Sequence, residues 1–287
     1  MEALLEADRF NITALTRSGS TGKDAFPDSV RAPVVDYEDP ESLVAVLKGQ
    51  DAVVSALSSD CAAQQQVLLD AAVSAGVTRF IPSEFGSDTL NANAAKLPVY
   101  SSKKKVQKQI EDLAAQGKIS YTYVINGPFL DFGLEAGFLG LDLKKKQLTY
   151  LDGGNAEFST TTRRTVGKVV VGVLSKPKET MDRAVYVQDV ALTLKDLLRL
   201  SKQALGEDGW TEIDGGTSAD VEKSSYEKLA QGQNDMGVFV GFLLSAFFRE
   251  GYGGEFQKLD NEMFGISQMS DSDIVEVIRE VARSLAA

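Results

Sequence analysis

The residues best suited to proton transfer stand together at a predicted helix start, Tyr100-Ser-Ser-Lys103-Lys104-Lys105. Cations at a helix N-terminus interact unfavourably with the helix macrodipole, which lowers helix stability. We therefore expect at least one of the three lysines to have a function. A lysine desolvated beside a ribose can have its pKa lowered from about 10.4 and can exchange protons. Lys104 is four residues from Tyr100 and Lys103 is three, so either lysine could share a helix face with the tyrosine. The spacing does not choose between them, and a solvated basic surface is a third interpretation.

The composition narrows the chemistry further. The sequence contains no histidine and one cysteine, Cys61. Serine and cysteine nucleophile systems that need an imidazole are therefore excluded, and no metal site is predicted. Acid-base chemistry must come from Lys, Tyr, Glu or Asp.

Charge and hydropathy restrict the partners. A net charge of -11 disfavours nucleic acid and anionic membranes, which leaves a small molecule as the expected ligand. The longest apolar run, Met236 to Phe248, is well short of the roughly 20 residues of a spanning helix. With no secretory leader and a single cysteine, we expect a cytoplasmic protein.

Strand-like and helix-like segments alternate through the first half of the chain. The predicted strands are residues 11–16, 32–36, 51–57, 78–82 and 120–125. Helical segments between them predict an α/β fold with a doubly wound parallel sheet. After Pro128 the pattern becomes irregular, with helices predicted at 165–174, 193–205, 220–230, 235–248 and 270–285. We therefore expect a nucleotide-binding domain at 1–128 and a smaller α+β substrate domain at 129–287.

Ligands of such sheets bind at the carboxyl ends of the strands. Arg17 and Ser18 follow the first predicted strand with no carboxylate nearby, a combination that suits the 2′-phosphate of NADP, although an ordinary surface arginine fits too. Asp36 ends the second strand. The turn Ser83-Glu84-Phe85 offers a hydroxyl, a carboxylate and an aromatic ring for a nicotinamide pocket, or is a plain turn.

Several motifs resemble the NmrA-like and isoflavone reductase-like family of atypical short-chain dehydrogenases. They are Val77 to Gly86, Lys103 with Val106 to Ile110, Tyr121 to Val124, and Gly127-Pro128-Phe129. The resemblance runs from Met1 to about Leu205. It implies a Rossmann-like domain that binds NADP(H).

The resemblance also implies roles for individual residues. Lys103 matches the family lysine that contacts the nicotinamide ribose and transfers protons, which favours it over Lys104 and leaves Tyr100 non-catalytic. Arg17 would hold the 2′-phosphate. With the loops above, the predicted cofactor-binding residues are Arg17, Ser18, Asp36, Ser55, Ala56, Leu57, Ser83, Glu84, Phe85, Lys103, Gly127, Pro128 and Phe129. Gly127-Pro128 replaces the asparagine-cysteine pair of plant reductases, so their substrates are not carried over.

The N-terminus departs from the family. Its glycine-rich turn is not found before Ile12, and a βαβ unit needs about 30 residues where eleven precede this strand. We expect an incomplete gene model, or else a degenerate paralogue. The missing strand would lie in the centre of the sheet. The two strands beside it would then either be separated by a gap or pair with each other.

The sequence thus predicts an NADPH-dependent reductase of a small, aromatic or conjugated metabolite. The alternatives are an NADP-binding redox sensor that acts on a protein partner without turnover, and a truncated inactive paralogue. Phe132, Phe138 and Phe158 either line the substrate pocket or belong to the core.

Overall fold

The computed structural model describes residues 1–17, 26–58 and 61–286, and the chain divides into two compact units. The first unit contains Met1–Glu84, Ser102–Tyr123 and Gly167–Val185. The second contains Phe85–Ser101, Val124–Val166 and the chain from Tyr186 onward. Each unit is thus built from three separate segments, and the contiguous division at residue 128 stays a prediction.

The strands in chain order are β1 (Thr16–Arg17), β2 (Val34–Val35), β3 (Ala52–Val54), β4 (Arg79–Ile81), β5 (Ser120–Ile125), β6 (Leu141–Asp142), β7 (Gln147–Tyr150), β8 (Phe158–Thr160), β9 (Arg183–Tyr186), β10 (Val190–Leu192) and β11 (Thr211–Asp214). The helices are α1 (Glu2–Glu6), α2 (Pro40–Leu47), α3 (Ala62–Ser74), α4 (Ser101–Ala115), α5 (Leu130–Ala136), α6 (Arg163–Ser175), α7 (Leu194–Leu205), α8 (Ser218–Ala230), α9 (Met236–Phe248), α10 (Asn261–Phe264) and α11 (Asp271–Ala286). The α/β fold with parallel strands confirms the predicted fold class.

The strands of the first unit form two separate sheets. One has the order β3-β4-β5-β9, in which Val53 of β3 pairs with Phe80 of β4 in parallel. The other is the parallel pair β1-β2. No ladder joins the two sheets within residues 1–17, 26–58 and 61–286. Val34 of β2 is 52% exposed.

Strand β1 is shorter than the predicted strand at 11–16. Before Thr16, Thr13 makes an isolated bridge to Arg31. Pro33 of the neighbouring segment accepts a hydrogen bond from Thr16 N–H at 3.0 Å but has no N–H to return. The proline therefore interrupts the regular ladder between Thr13 and Thr16.

Helices α2, α3, α4 and α6 contribute apolar side chains to the interior of the first unit. Helix α2 begins as its sequence predicts, because Asp39 accepts hydrogen bonds from Glu41 N–H and Ser42 N–H, with Pro40 at the first helical position. The fully buried side chains include Leu43, Leu69, Phe80, Ile110 and Val169. This apolar packing holds the parallel strands from which the candidate site projects.

The second unit has its own core beneath small sheets. Sheet β11-β7-β6 and the antiparallel pair β10-β8 supply Leu148 and Phe158, which pack with Leu197, Phe248 and Ile278 from the helices. Phe158 is therefore a core residue. Helix α9 matches the predicted apolar helix, and within the described part of the chain no helix is both long and apolar enough to cross a membrane.

Arg79 anchors the start of β4 from inside the first unit. Its guanidinium is buried and donates hydrogen bonds to the Thr122 hydroxyl at 2.8 Å and the Thr180 carbonyl at 3.2 Å, and also to Pro177. Burial lowers the pKa of Arg79, and the Asp182 carboxylate opposes this shift. These bonds satisfy carbonyls that follow α6, so the arginine ties that segment to the sheet.

Replacing Arg79 with methionine should destabilise the protein by about 2 to 4 kcal/mol, because the buried carbonyls lose their charged donor. Urea unfolding measures the change. Arg283→Met removes an exposed guanidinium that is paired with Glu276 and should change stability by less than about 0.5 kcal/mol. Equal effects of the two substitutions would show that Arg79 is not an anchor.

Candidate active site around Lys103

The carboxyl ends of β3 and β4 lie side by side, since these strands are parallel neighbours. Ser55 N–H, just after β3, donates to the Ile81 carbonyl at 2.9 Å. The Ser83 hydroxyl, just after β4, donates to the Leu57 carbonyl at 2.7 Å. The two loops at this edge of the sheet are therefore fixed to each other.

The turn after β4 is tight. Glu84 N–H donates to the Pro82 carbonyl at 2.7 Å, and Phe85 has a φ of 25°, in the left-handed region that aromatic residues rarely occupy. A second bond at 2.7 Å runs from Ser83 N–H to the side-chain oxygen of Gln65 on α3. Such a strained backbone persists only where surrounding contacts hold it, which is a common property of functional loops.

Lys103 projects from the first turn of α4 toward this loop. Its amine donates a hydrogen bond to the backbone carbonyl of Glu84. Burial lowers the pKa of Lys103 from the ordinary 10.5, whereas the nearby Glu84 carboxylate, which is buried, raises it. The amine is thus held in place and loses its proton more readily than a free lysine does.

The other two candidates for proton transfer make different contacts. The Lys104 amine donates to the side-chain oxygen of Gln107 at 2.6 Å. In the second unit, the Tyr100 hydroxyl donates to Ser87 at 2.5 Å, and its ring packs in a buried cluster with Leu97 and Phe242. The structure therefore brings Lys103, and not Lys104, onto the loop after β4.

Arg17 stands exposed at the end of β1. Burial raises the pKa of the neighbouring Tyr37 phenol, and the Arg17 guanidinium partly offsets this, so the two side chains are within electrostatic reach. Asp36, at the end of β2, accepts a hydrogen bond from Glu38 N–H at 2.9 Å. Ser18 lies outside the described residues.

Ser55, Ala56 and Leu57 follow β3 as predicted, and their environments differ. Ala56 is exposed and Leu57 half-buried, whereas the Ser55 hydroxyl is buried without a hydrogen-bond partner within residues 1–17, 26–58 and 61–286. A buried hydroxyl of this kind requires an explanation, and a polar ligand atom would satisfy it.

Gly127, Pro128 and Phe129 are placed by contacts inside the second unit. Gly127 N–H donates to the Gly86 carbonyl at 2.9 Å. A Cβ on Gly127 would lie 2.0 Å from the Ser159 carbonyl oxygen, and its φ is 66°, so only glycine fits. Phe129 forms a bridge to Thr161. This segment passes beside Gly86, the residue that follows the Ser83-Glu84-Phe85 turn.

Sequence patterns do not single out Gln65. The only signal is the run Gln64-Gln65-Gln66 inside a largely apolar helix, and nothing local distinguishes the three residues. In the structure Gln65 is 5% exposed and reaches Ser83, which is far away along the chain.

The model of the NmrA-like family matches residues 1–209. The chain is 32% identical to oxidoreductase aprR of Aspergillus flavus, with 99% of this chain and 94% of the relative covered. It is 28% identical to isoflavone reductase homolog P3 of Arabidopsis thaliana, over 60% of this chain and 57% of the relative. Its fold is similar to that of the leucoanthocyanidin reductase–NADPH complex from Vitis vinifera, with a TM-score of 0.76, 19% identity, and 96% and 94% of the two chains covered.

The lowered pKa of Lys103 has a measurable consequence for its reactivity. Competitive labelling with trace acetic anhydride, quantified by mass spectrometry, should give Lys103 a titration midpoint below 10.5, because burial favours the neutral, nucleophilic amine. The Lys103→Arg variant identifies the signal by its loss. A midpoint at or above 10.5 would contradict the described burial of the amine.

Proposed function

Because the chain belongs to the NmrA-like family, we propose that it is an NADPH-dependent reductase of a small aromatic or conjugated metabolite. The observation that carries the proposal is the half-buried Lys103 amine, which is held by the Glu84 carbonyl and has a lowered pKa. In a chain without histidine, such an amine is well suited to proton transfer.

The residues of the first unit fit NADPH by their chemistry. Arg17 offers a guanidinium for a phosphate, the group that distinguishes NADP from NAD. The buried Ser55 hydroxyl offers a hydrogen bond that no described residue takes. Among the described residues, Cys61 at the N-cap of α3 makes no side-chain hydrogen bond to the helix, and the N-terminus of a helix of this length suits an anion. The solved reductase from Vitis vinifera with a similar fold is a complex with NADPH, which supports the same cofactor here.

The chemistry then divides between cofactor and protein. Bound NADPH supplies the hydride. The protonated Lys103 amine donates a proton to the substrate oxygen or carbon atom that becomes basic when the hydride is added. Glu84 holds one N–H of that amine, so the remaining hydrogens have a restricted direction. The reaction needs the protonated amine, so the rate should fall as pH rises through the lowered pKa of Lys103.

Two features bear on the substrate. The Gly127-Pro128 segment has neither of the polar side chains that plant reductases carry there, so the substrate need not resemble theirs. Phe132 of α5 is 46% exposed and lies 5.9 Å from the ring of Phe138. Within the second unit, the exposed ring of Phe132 offers a flat apolar surface that would suit a planar, apolar metabolite.

Lys103→Ala should lower kcat for NADPH oxidation about 100- to 10,000-fold, because it removes the proton donor. The measurement is a spectrophotometric assay across a panel of enones and aromatic carbonyl compounds. Lys105→Ala, an exposed lysine of the same helical turn, serves as the matched control and should keep full activity. Lys104→Ala tests the other lysine. Unchanged turnover in Lys103→Ala would remove the assigned role.

Arg17→Ala should weaken NADPH binding about 10- to 100-fold and leave NADH binding nearly unchanged, since only NADPH carries the phosphate. Titration calorimetry with both nucleotides measures the two affinities. Arg31→Ala is the control. Arg31 bridges to Thr13, which is four residues before Arg17 along the chain, so it lies away from the predicted phosphate site at the end of β1. Equal losses for both nucleotides would show that Arg17 does not contact the phosphate.

A further inference from the structure

We infer that Gln65 is a positioning residue, which fixes through Ser83 the carbonyl group that holds the Lys103 amine. The inference rests on the reductase function proposed above and extends it to a residue of α3. We place the effect of Gln65 on the loop after β4, which lies between its bond to Ser83 and the bond of Lys103 to Glu84.

Gln65 holds the loop at its first residue. Its buried side-chain oxygen accepts from Ser83 N–H at 2.7 Å, and the Ser83 hydroxyl donates to the Leu57 carbonyl at 2.7 Å. Ser83 is thus fixed through both its main chain and its side chain. A buried amide supplies this acceptor without adding a charge beside the lysine.

The constraint passes from Ser83 to the next peptide group. Glu84 N–H bonds back to Pro82 at 2.7 Å, and Phe85 adopts its left-handed φ of 25°. Between these two restraints the Glu84 carbonyl has little freedom, and it accepts the hydrogen bond from Lys103. The strained turn needs external contacts to persist, and the Gln65 bond is one of them.

The same helix also holds the other end of the lysine bond. Gln66, the next residue of α3, donates to the side-chain oxygen of Gln109 on α4 at 3.3 Å. Gln109 in turn donates to Asp70 of α3 at 2.7 Å. Adjacent glutamines of α3 therefore fix the loop that accepts the bond and the helix that carries the donor.

Ser83 N–H needs an oxygen acceptor at position 65. Two substitutions distinguish the effect of side-chain length at this position from the effect of that hydrogen bond. Gln65→Met keeps the length of the side chain and removes the oxygen, whereas Gln65→Glu keeps an oxygen acceptor. Gln107→Met is the matched control, since Gln107 is also buried and its side-chain oxygen serves Lys104 instead.

Hydrogen–deuterium exchange and kinetics on the full chain test the inference together. Gln65→Met should raise exchange in peptides that contain the Ser83 amide and lower kcat about 10- to 100-fold, since a displacement near 1 Å has effects of this size. The Kd for NADPH should change less than kcat does, because Arg17 and Ser55 lie outside this loop. Gln65→Glu should restore protection of the Ser83 amide, because it keeps the oxygen acceptor, and Gln107→Met should leave both protection and kcat as in the wild type.

If the wild type turns over substrate and Gln65→Met has the same kcat, the inference about Gln65 is wrong and the proposed function is unaffected. A lower kcat without faster exchange at Ser83 would also overturn it, because the loop would then be unaffected by the substitution. Exchange at Ser83 that stays as fast in Gln65→Glu as in Gln65→Met would overturn it too, because the oxygen acceptor would then not be what holds the loop. Absence of NADPH binding and turnover in the wild type would instead overturn the proposed function, and the inference with it.

Discussion

The hydrogen bond from the Lys103 amine to the Glu84 carbonyl is the interaction on which the candidate site depends. It joins the first turn of α4 to the loop after β4 and places a lysine where burial lowers its pKa. Taking an amine out of water is unfavourable unless a fixed acceptor receives its hydrogens, and the backbone carbonyl is such an acceptor. The strained turn at Phe85 and the contacts of Ser83 serve to keep that carbonyl in place.

The short strand β4 is fixed at both of its ends by buried polar groups. At its start, the Arg79 guanidinium satisfies carbonyls after α6, and at its end the Ser83 main chain and hydroxyl are held by α3 and by the loop after β3. Between them, Phe80 and Ile81 are fully buried. A strand of three residues has few ladder bonds of its own, so these side-chain contacts determine how rigidly it presents the loop.

Local patterns predicted much of the first unit. The strand predicted at 120–125 is β5 with the same bounds, and Asp39 caps α2 as its sequence indicates. Strands β7 and β8 were not predicted, because their partners, β11 and β10, are distant along the chain. Strand β6 and helix α5 were not predicted either. Spacing alone left Lys103 and Lys104 open; the contacts with Glu84 and Gln107 separate them. Gln65 was missed because its role comes from a contact with another loop, which periodicity does not show.

A crystal structure of the chain with bound NADP⁺ is the decisive test of this interaction. We predict that the Lys103 amine keeps its bond to the Glu84 carbonyl and places its nitrogen within about 3.2 Å of a ribose hydroxyl oxygen on the nicotinamide side. We also predict the Arg17 guanidinium on the 2′-phosphate. A nucleotide whose nicotinamide ribose lies beyond hydrogen-bond reach of Lys103, or an amine turned toward solvent, would contradict these predictions.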